Sequence, residues 1–432
     1  MKAVLDFVAR HRGGAAVGLY SVCSAHPLVL RAALAHARRE GLPQVLVEAT
    51  CNQVNPEGGY TGMTARDFID FVYALADQEH YPRSALILGG DHLGPHPWQQ
   101  LPAADALRRA EALVASYVEA GFRKIHLDCS MSCGDDPVPL GDALVAERSA
   151  RLCRVAEEAW RRSGGEPPVY VIGTEVPVPG GPAHALTTVD VTTPAAARAT
   201  IAAHRRAFAD AGLDAAWTRV VAAVVQPGVE FDHRRAVGYV PERAVALSAV
   251  ALEQPGFVFE AHSTDYQSPA ALAALVRDHF AILKVGPAAT FALREALWAL
   301  DALERDWLPA GATAGLRETV LACMRDDPRH WQRYYPAGEP DCTWHLEFSL
   351  SDRIRYYWTR PEVVQAQARL FDNLRRRPIP RALLDRHFPD TRFGVTADPL
   401  PVDPEALVLA HVGRLLDDYS RACGSPRTPA DA

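Results

Sequence analysis

The stretch Leu86-Ile87-Leu88-Gly89-Gly90-Asp91-His92-Leu93-Gly94-Pro95 is an apolar run that stops abruptly in an acid and an imidazole. An apolar run without polar alternation suits a strand buried on both faces of a parallel sheet. Outward from it, similar runs recur along the chain. They are Val17-Gly18-Leu19-Tyr20, Val45-Leu46-Val47-Glu48, Ile125-His126-Leu127-Asp128, Val169-Tyr170-Val171-Ile172, Val220 to Val225, Phe257-Val258-Phe259-Glu260 and Ile282-Leu283-Lys284-Val285. Helical patterns separate them, at Leu28 to Glu40, Asp105 to Ala120, Leu144 to Arg162 and Pro194 to Ala211, and Thr290 to Trp307 follows the last run. Alternation of this kind predicts a closed (β/α)8 TIM barrel in the α/β class. An open doubly wound sheet is the competing architecture, and it would carry a glycine-rich phosphate fingerprint after the first strand. The first strand here runs into Ser21-Val22-Cys23-Ser24-Ala25-His26-Pro27, which is no such fingerprint.

The barrel accounts for residues 1–310. From 311 to 425 the strand pattern stops, and an Arg-rich stretch broken by Pro328, Pro336, Pro340, Pro361, Pro378 and Pro380 predicts a helical extension packed on the barrel. Residues 426–432 read as a disordered tail. The 432 residues are 48% hydrophobic and 22% charged, enough for a large core. A net charge of −7 argues against nucleic-acid or anionic-membrane partners. No apolar run is long enough to span a bilayer, and Met1 to Arg12, with Asp6 inside it, does not read as a signal peptide. The expectation is a cytoplasmic protein with reduced thiols. Cys129 and Cys133 lie four apart, but no second pair at zinc-finger spacing accompanies them.

In a barrel the reacting groups project from the C-terminal strand ends. Polar residues collect there: Ser24; Asn52 and Gln53; Asp91 and His92; Asp128; Glu175; Gln226 and His233; Glu260, His262, Ser263 and Asp265; and Lys284. One strand-end histidine is more often a hydrogen-bonding residue than a ligand. The case for a metal rests on several metal-competent side chains reaching one rim from different strands. The expected ligands are His92 and His262, joined by His233 and Glu175, around a divalent ion: zinc, or else manganese, cobalt or nickel. Asp91 and Glu260 are the acid/base candidates, because a neighbouring cation keeps a carboxylate ionised and ready to accept a proton. Ser24, Asn52, Gln53, Asp128, Gln226, Ser263, Asp265 and Lys284 are the expected substrate contacts. No G-x-x-x-x-G-K-[ST] loop is present to cradle ATP phosphates.

Several segments also carry a family resemblance. Ser21 to Pro27, Glu48-Ala49-Thr50-Cys51-Asn52-Gln53-Val54-Asn55, Gly59-Tyr60-Thr61-Gly62-Met63-Thr64 and Gly90-Asp91-His92-Leu93-Gly94-Pro95 are among them. So are Gly173-Thr174-Glu175-Val176-Pro177, Gln226-Pro227-Gly228-Val229-Glu230-Phe231-Asp232-His233, Glu260-Ala261-His262-Ser263-Thr264-Asp265-Tyr266-Gln267 and Leu350 to Trp358. Across residues 15 to 360 the chain resembles the non-catalytic, Z-type subunit of class II D-tagatose-1,6-bisphosphate aldolase. The resemblance implies an accessory protein that supports the stability and activity of a separate Y-type catalytic subunit in galactitol, tagatose or N-acetylgalactosamine catabolism. More distantly the chain is similar to metal-dependent ketose 4-epimerases.

Against the catalytic relatives, Asp91-His92 matches a pair in which the acid is the acid/base and the histidine a zinc ligand. His262 matches a second zinc histidine and His233 a third. Lys284-Val285-Gly286 resembles a Lys-Val-Asn segment, with glycine where a substrate-contacting asparagine stands. Ser263-Thr264-Asp265 replaces a glycine-rich phosphate loop, which counts against a bisphosphate. Three readings follow. The first is an accessory subunit. The second is a 4-epimerase working by retro-aldol chemistry at C3–C4, with Asp91 taking the C4 hydroxyl proton. The third is a sugar-phosphate-binding protein without chemistry. The partners expected are a ketose or ketose phosphate, a catalytic aldolase subunit, and other chains in a homo- or hetero-oligomer. Asp352, Arg353, Arg355, Tyr356, Tyr357 and Trp358 interleave arginines with aromatics, as binding hot spots do. They are expected at an interface or reaching toward a site, the alternative being aromatics packed on the chain's own barrel.

Overall fold

The computed structural model of the protein describes residues 1–174, 189–309, 311–335, 342–389 and 402–424. In chain order the strands are β1 (Leu19–Val22), β2 (Val45–Thr50), β3 (Leu86–Leu93), β4 (Lys124–Leu127), β5 (Val169–Ile172) and β6 (Val220–Val224). After them come β7 (Glu230–Phe231), β8 (Ala236–Val237), β9 (Val258–Ala261) and β10 (Phe280–Val285). Strands β1–β6, β9 and β10 close a parallel barrel, in which β10 returns to pair with β1, while β7 and β8 form a small antiparallel hairpin outside it. All the apolar runs of the sequence are barrel strands, so the closed barrel replaces the open-sheet alternative.

Helices cover the barrel because each presents one apolar face to the strands. The sequence starts them cleanly. Thr64 caps Ala65–Gln78 in a reciprocal capping box with Asp67, and Thr193 and Ser268 cap Pro194–Asp210 and Pro269–Arg277 with proline in the first turn. The helix Lys2–Arg12 was not anticipated from the sequence. It plugs the N-terminal end of the barrel: Met1, Val4, Phe7 and Val8 pack against Leu46, Ile87, Val169, Val171, Val224 and Ile282.

The extension holds to the barrel. The helix Pro404–Ala422 packs on Pro27–Arg39 and on Pro287–Trp307, Gly18 N donates to Cys423 O at 3.1 Å, and Tyr419 Oη donates to Thr264 O at 2.8 Å. The expected tail at 426–432 lies outside the described residues. Cys129 and Cys133 are both buried free thiols. No helix among the described residues is long and apolar enough to cross a membrane.

The two glycines of β3 do something other than turn the chain. Neither has a positive φ, and β3 continues through Asp91 and His92 to Leu93. Register sets Glu48, Gly89 and Lys124 side by side across β2, β3 and β4. A Cβ on Gly89 would lie 2.5 Å from Glu48 Oε1, so the glycine leaves room for the Glu48 carboxylate to cross to Lys124. The turn itself falls on His92, whose φ of 50° is in the left-handed region a side chain rarely adopts.

Candidate functional site

Side chains alternate along a strand, so residues two apart share a face. On β4 the rule sends Lys124 and His126 into the barrel, with Asp128 following at the rim. Lys124 Nζ lies 2.9 Å from Glu48 Oε1 and 2.6 Å from Glu260 Oε2. Lys284 Nζ pairs with Glu48 and lies 2.9 Å from Asp91 Oδ1 and 3.7 Å from Glu260 Oε1. Ser21 Oγ donates to Glu48 Oε2. Burial opposes ionisation throughout this layer, but the charges face one another. Burial works against Asp91, yet Lys284 and His92 outweigh it and hold its carboxyl well below the usual range. Glu260 is held down in the same way by Lys124 and Lys284. The Lys284 ammonium is kept protonated by Asp91 and the glutamates despite its burial.

Directly above stand three imidazoles. The ring centroids of His92, His126 and His262 are 4.8–5.2 Å apart. His92 Nδ1 lies 2.7 Å from Asp128 Oδ2, and Asp128 Oδ1 accepts in turn from Ser130 Oγ at 2.6 Å and Ser130 N at 3.1 Å. Such a carboxylate fixes the ring and turns its Nε2 inward, as outer carboxylates do for metal-bound histidines. His126 Nδ1 lies 2.9 Å from Asp91 Oδ1, and its buried Nε2 has no hydrogen-bond partner among the described residues. His262 Nε2 is 3.1 Å from Glu260 Oε1, and burial lowers its pKa to about 4, so it is neutral and able to donate a lone pair.

These groups suit a divalent cation. Asp91, His126, Glu260 and His262 offer ligand atoms within 4.8 Å of one another. The orphaned His126 Nε2 is a donor set's open position. The charge also points that way: four buried carboxylates, Glu48, Asp91, Asp128 and Glu260, stand against two buried ammonium groups, Lys124 and Lys284, with the imidazoles of His92 and His126 against Asp128 and Asp91.

A cavity of about 440 Å³ opens above the cluster. Ser24, Asn52, Gln53 and Tyr60 line one side, Ser263 and Asp265 another, and Arg355, Tyr356 and Trp358 of the extension reach over it.

Comparison with known proteins accords with this geometry. Residues 4–424 match the family described as D-tagatose-1,6-bisphosphate aldolase subunit GatZ/KbaZ-like. The chain belongs to that family. A crystal structure of a probable tagatose 6 phosphate kinase from Sinorhizobium meliloti 1021 is 48% identical, covers 94% of this chain and 100% of its own, and superposes with a TM-score of 0.84. A glycerol-bound structure of fructuronate-tagaturonate epimerase UxaE from Cohnella laeviribosi is 12% identical over 94% of this chain and 81% of its own, with a TM-score of 0.52, a likeness of fold.

In this GatZ/KbaZ-like chain the fold brings Asp91, His92, Glu260, His262 and Lys284 together. It sets Ser24, Asn52, Gln53, Ser263 and Asp265 on the cavity wall. Other expected residues stand elsewhere. Asp128 sits behind His92 and orients it. Gln226 turns its Oε1 to accept from Gly228 N at 2.8 Å and Val229 N at 2.9 Å, shaping the loop after β6. His233 is outside the imidazole cluster: its Nδ1 lies 2.9 Å from Ser351 Oγ and its ring meets Tyr335 edge-on. It anchors the extension, and the third imidazole of the cluster is His126. Glu175 lies outside the described residues. The sequence reading noted Glu48 at its strand end without giving it a role, and passed over Lys124 and His126 as site residues. The signal that would have found them is the alternation on β4, which gives Lys124, His126 and Asp128 one face.

Arg355, Tyr356 and Trp358 reach the cavity because the segment before them is tied down. Leu350 N donates to His233 O at 3.0 Å, Tyr266 Oη donates to Leu350 O at 2.6 Å, and Thr290 Oγ1 donates to Asp352 Oδ2 at 2.6 Å. The buried Asp352 also faces Arg294 Nε at 3.3 Å.

Proposed function

We propose that this chain is the accessory subunit of a class II D-tagatose-1,6-bisphosphate aldolase, associating with a separate catalytic subunit and supporting its stability and activity in galactitol, tagatose or N-acetylgalactosamine catabolism. The observation that carries this reading is the family match, which runs through barrel and extension alike.

A second reading has its own support in the intact centre beneath the cavity. A scaffold needs no His92–Asp128 pair, no orphaned imidazole and no carboxylate held ionised against burial. His92, His126 and His262, with Glu260, would hold a divalent ion, zinc in the first place, and Asp91 stands beside them. Such an ion supplies positive charge that polarises a ketose carbonyl. Asp91, kept deprotonated by Lys284 and His92, is suited to take a hydroxyl proton from C4 as C3–C4 breaks. Lys284 next to it steadies the negative charge that the proton leaves behind. Return of the proton after the bond re-forms on the other aldehyde face inverts C4, which is 4-epimerisation. Release of the aldehyde is aldol cleavage.

One experiment separates the readings. The purified chain is mixed with a Y-type catalytic subunit, and association, melting temperature of the partner and aldolase activity are measured. In parallel the chain alone is assayed for bound metal and for interconversion of ketohexose epimers, free and phosphorylated. An accessory subunit binds its partner and raises the partner's activity. A chain that ignores the partner yet epimerises ketoses alone sinks the accessory reading in favour of the epimerase. His126→Ala is expected to lose metal and His233→Ala to keep it.

A further inference from the structure

Two features of the cavity can receive an anion, and the chain has filled one of them itself. The first is the N-terminus of the helix Pro287–Trp307, where free N–H groups and the helix dipole favour negative charge. Asp265 Oδ1 occupies it, accepting from Gly286 N at 2.9 Å and Ala288 N at 2.8 Å. The side chain is buried. A substrate oxyanion arriving there would meet a carboxyl group and find both N–H groups engaged.

The second is Arg355. Its Nη1 donates to Ser351 O and, at 3.0 Å, to Asp352 O, while its Nη2 donates to Tyr356 Oη at 3.1 Å. These bonds fix the guanidinium plane without neutralising it, because the partners are carbonyls and a phenol. The nearby Asp352 carboxylate is hydrogen-bonded to Thr290 and Arg294 and acts on Arg355 only through space. Among the described residues no carboxylate forms an ion pair with Arg355. The cavity's other permanent cation, Lys284, is paired with Glu48, Asp91 and Glu260. Arg355 therefore keeps its charge, its Nε–H and one Nη2–H for the oxygens of a phosphate or carboxylate. Its backbone is held in place by the ties at Leu350 and Asp352, so little ordering remains to be done on binding.

We infer that Arg355 holds the one anionic group of the sugar this cavity takes, and that Asp265 denies a place to a second. The inference rests on reading the cavity as a ketose site. Phosphate and carboxylate share the chemistry, and the test distinguishes them.

The full chain is titrated calorimetrically with D-tagatose, D-tagatose 6-phosphate, D-tagatose 1,6-bisphosphate and D-tagaturonate. One of the two mono-anionic sugars binds more tightly than free tagatose and so names the anion, and the bisphosphate gains nothing over the 6-phosphate. Arg355→Gln weakens the anionic sugar by about 10- to 100-fold and leaves free tagatose nearly unchanged. Arg355→Lys, which keeps the charge and loses the fork, falls between. Asp265→Asn improves the bisphosphate relative to the 6-phosphate. Wild-type affinity for the anionic sugar in a folded Arg355→Gln variant overturns the inference. So does a wild-type chain that binds free tagatose as tightly as its anionic forms, a comparison that stands even if the variants fail to fold. A wild-type chain that binds none of the four sugars removes the ketose-site reading and the inference with it, whereas the accessory role is decided separately by the mixing experiment.

Discussion

The lower and upper halves of the barrel interior are built from the same strands and filled in opposite ways. Below, Leu46, Ile87, Val169, Val171, Val224 and Ile282 meet the plug of Met1, Val4, Phe7 and Val8. Above, Glu48, Lys124, Glu260 and Lys284 fill the interior with charge, and Glu48, Glu260 and Lys284 stand two residues after Leu46, Val258 and Ile282 on their strands. Hydrocarbon packing tolerates small changes, because each lost methylene costs a transfer term and a small void. A buried ionic layer does not, because removing one member strands the others without water. The floor is thus a stability device, while the mouth holds charges in a state that folding alone would not select.

The contrast predicts unequal responses to mutation. Lys124→Met removes one of the two ammonium groups that Glu48 and Glu260 share and leaves Lys284 alone between them, and is expected to cost about 3–5 kcal/mol in urea unfolding. Ile282→Val in the floor should cost only about 0.5–1.5 kcal/mol. Equal costs at the two sites would erase the distinction between the halves.

A smaller effect belongs to Glu230 in the hairpin strand β7 beside the mouth. Burial raises its pKa from 4.5 to about 7, with only Phe231 N at 3.0 Å and Ser263 favouring the charged form. The folded state therefore holds this proton more tightly than the unfolded chain does. Its contribution is fully present below pH 4.5 and is lost as the pH rises toward about 7. Glu230→Gln cannot ionise. The stability of wild type relative to this variant should decline by on the order of 3 kcal/mol across that window. A difference that stays flat with pH would show that the mouth does not hold this carboxyl neutral.

Much of this was legible in the sequence, for physical reasons. A strand buried on both faces must be apolar along its length, so the barrel strands announced themselves as runs. Strand ends at the mouth must be polar, so Asp91, His92, Glu260, His262 and Lys284 stood out. Lys2–Arg12 escaped notice because a helix that plugs a barrel has no β/α neighbour to pattern it.

What the sequence determined by itself was the periodicity: which segments are strands, which are helices, and which residues end each strand. Those are local properties, set by the alternation of buried and exposed positions along a few residues. The tertiary structure alone decided which strand-end groups share a centre. His126 joins His92 and His262 because register and barrel closure carry β4 and β9 to the same rim, while His233, expected along the chain as a further ligand, meets the Ser351 hydroxyl of the extension instead. Distance between groups far apart in sequence is fixed by the closure of the barrel, and no local pattern encodes it.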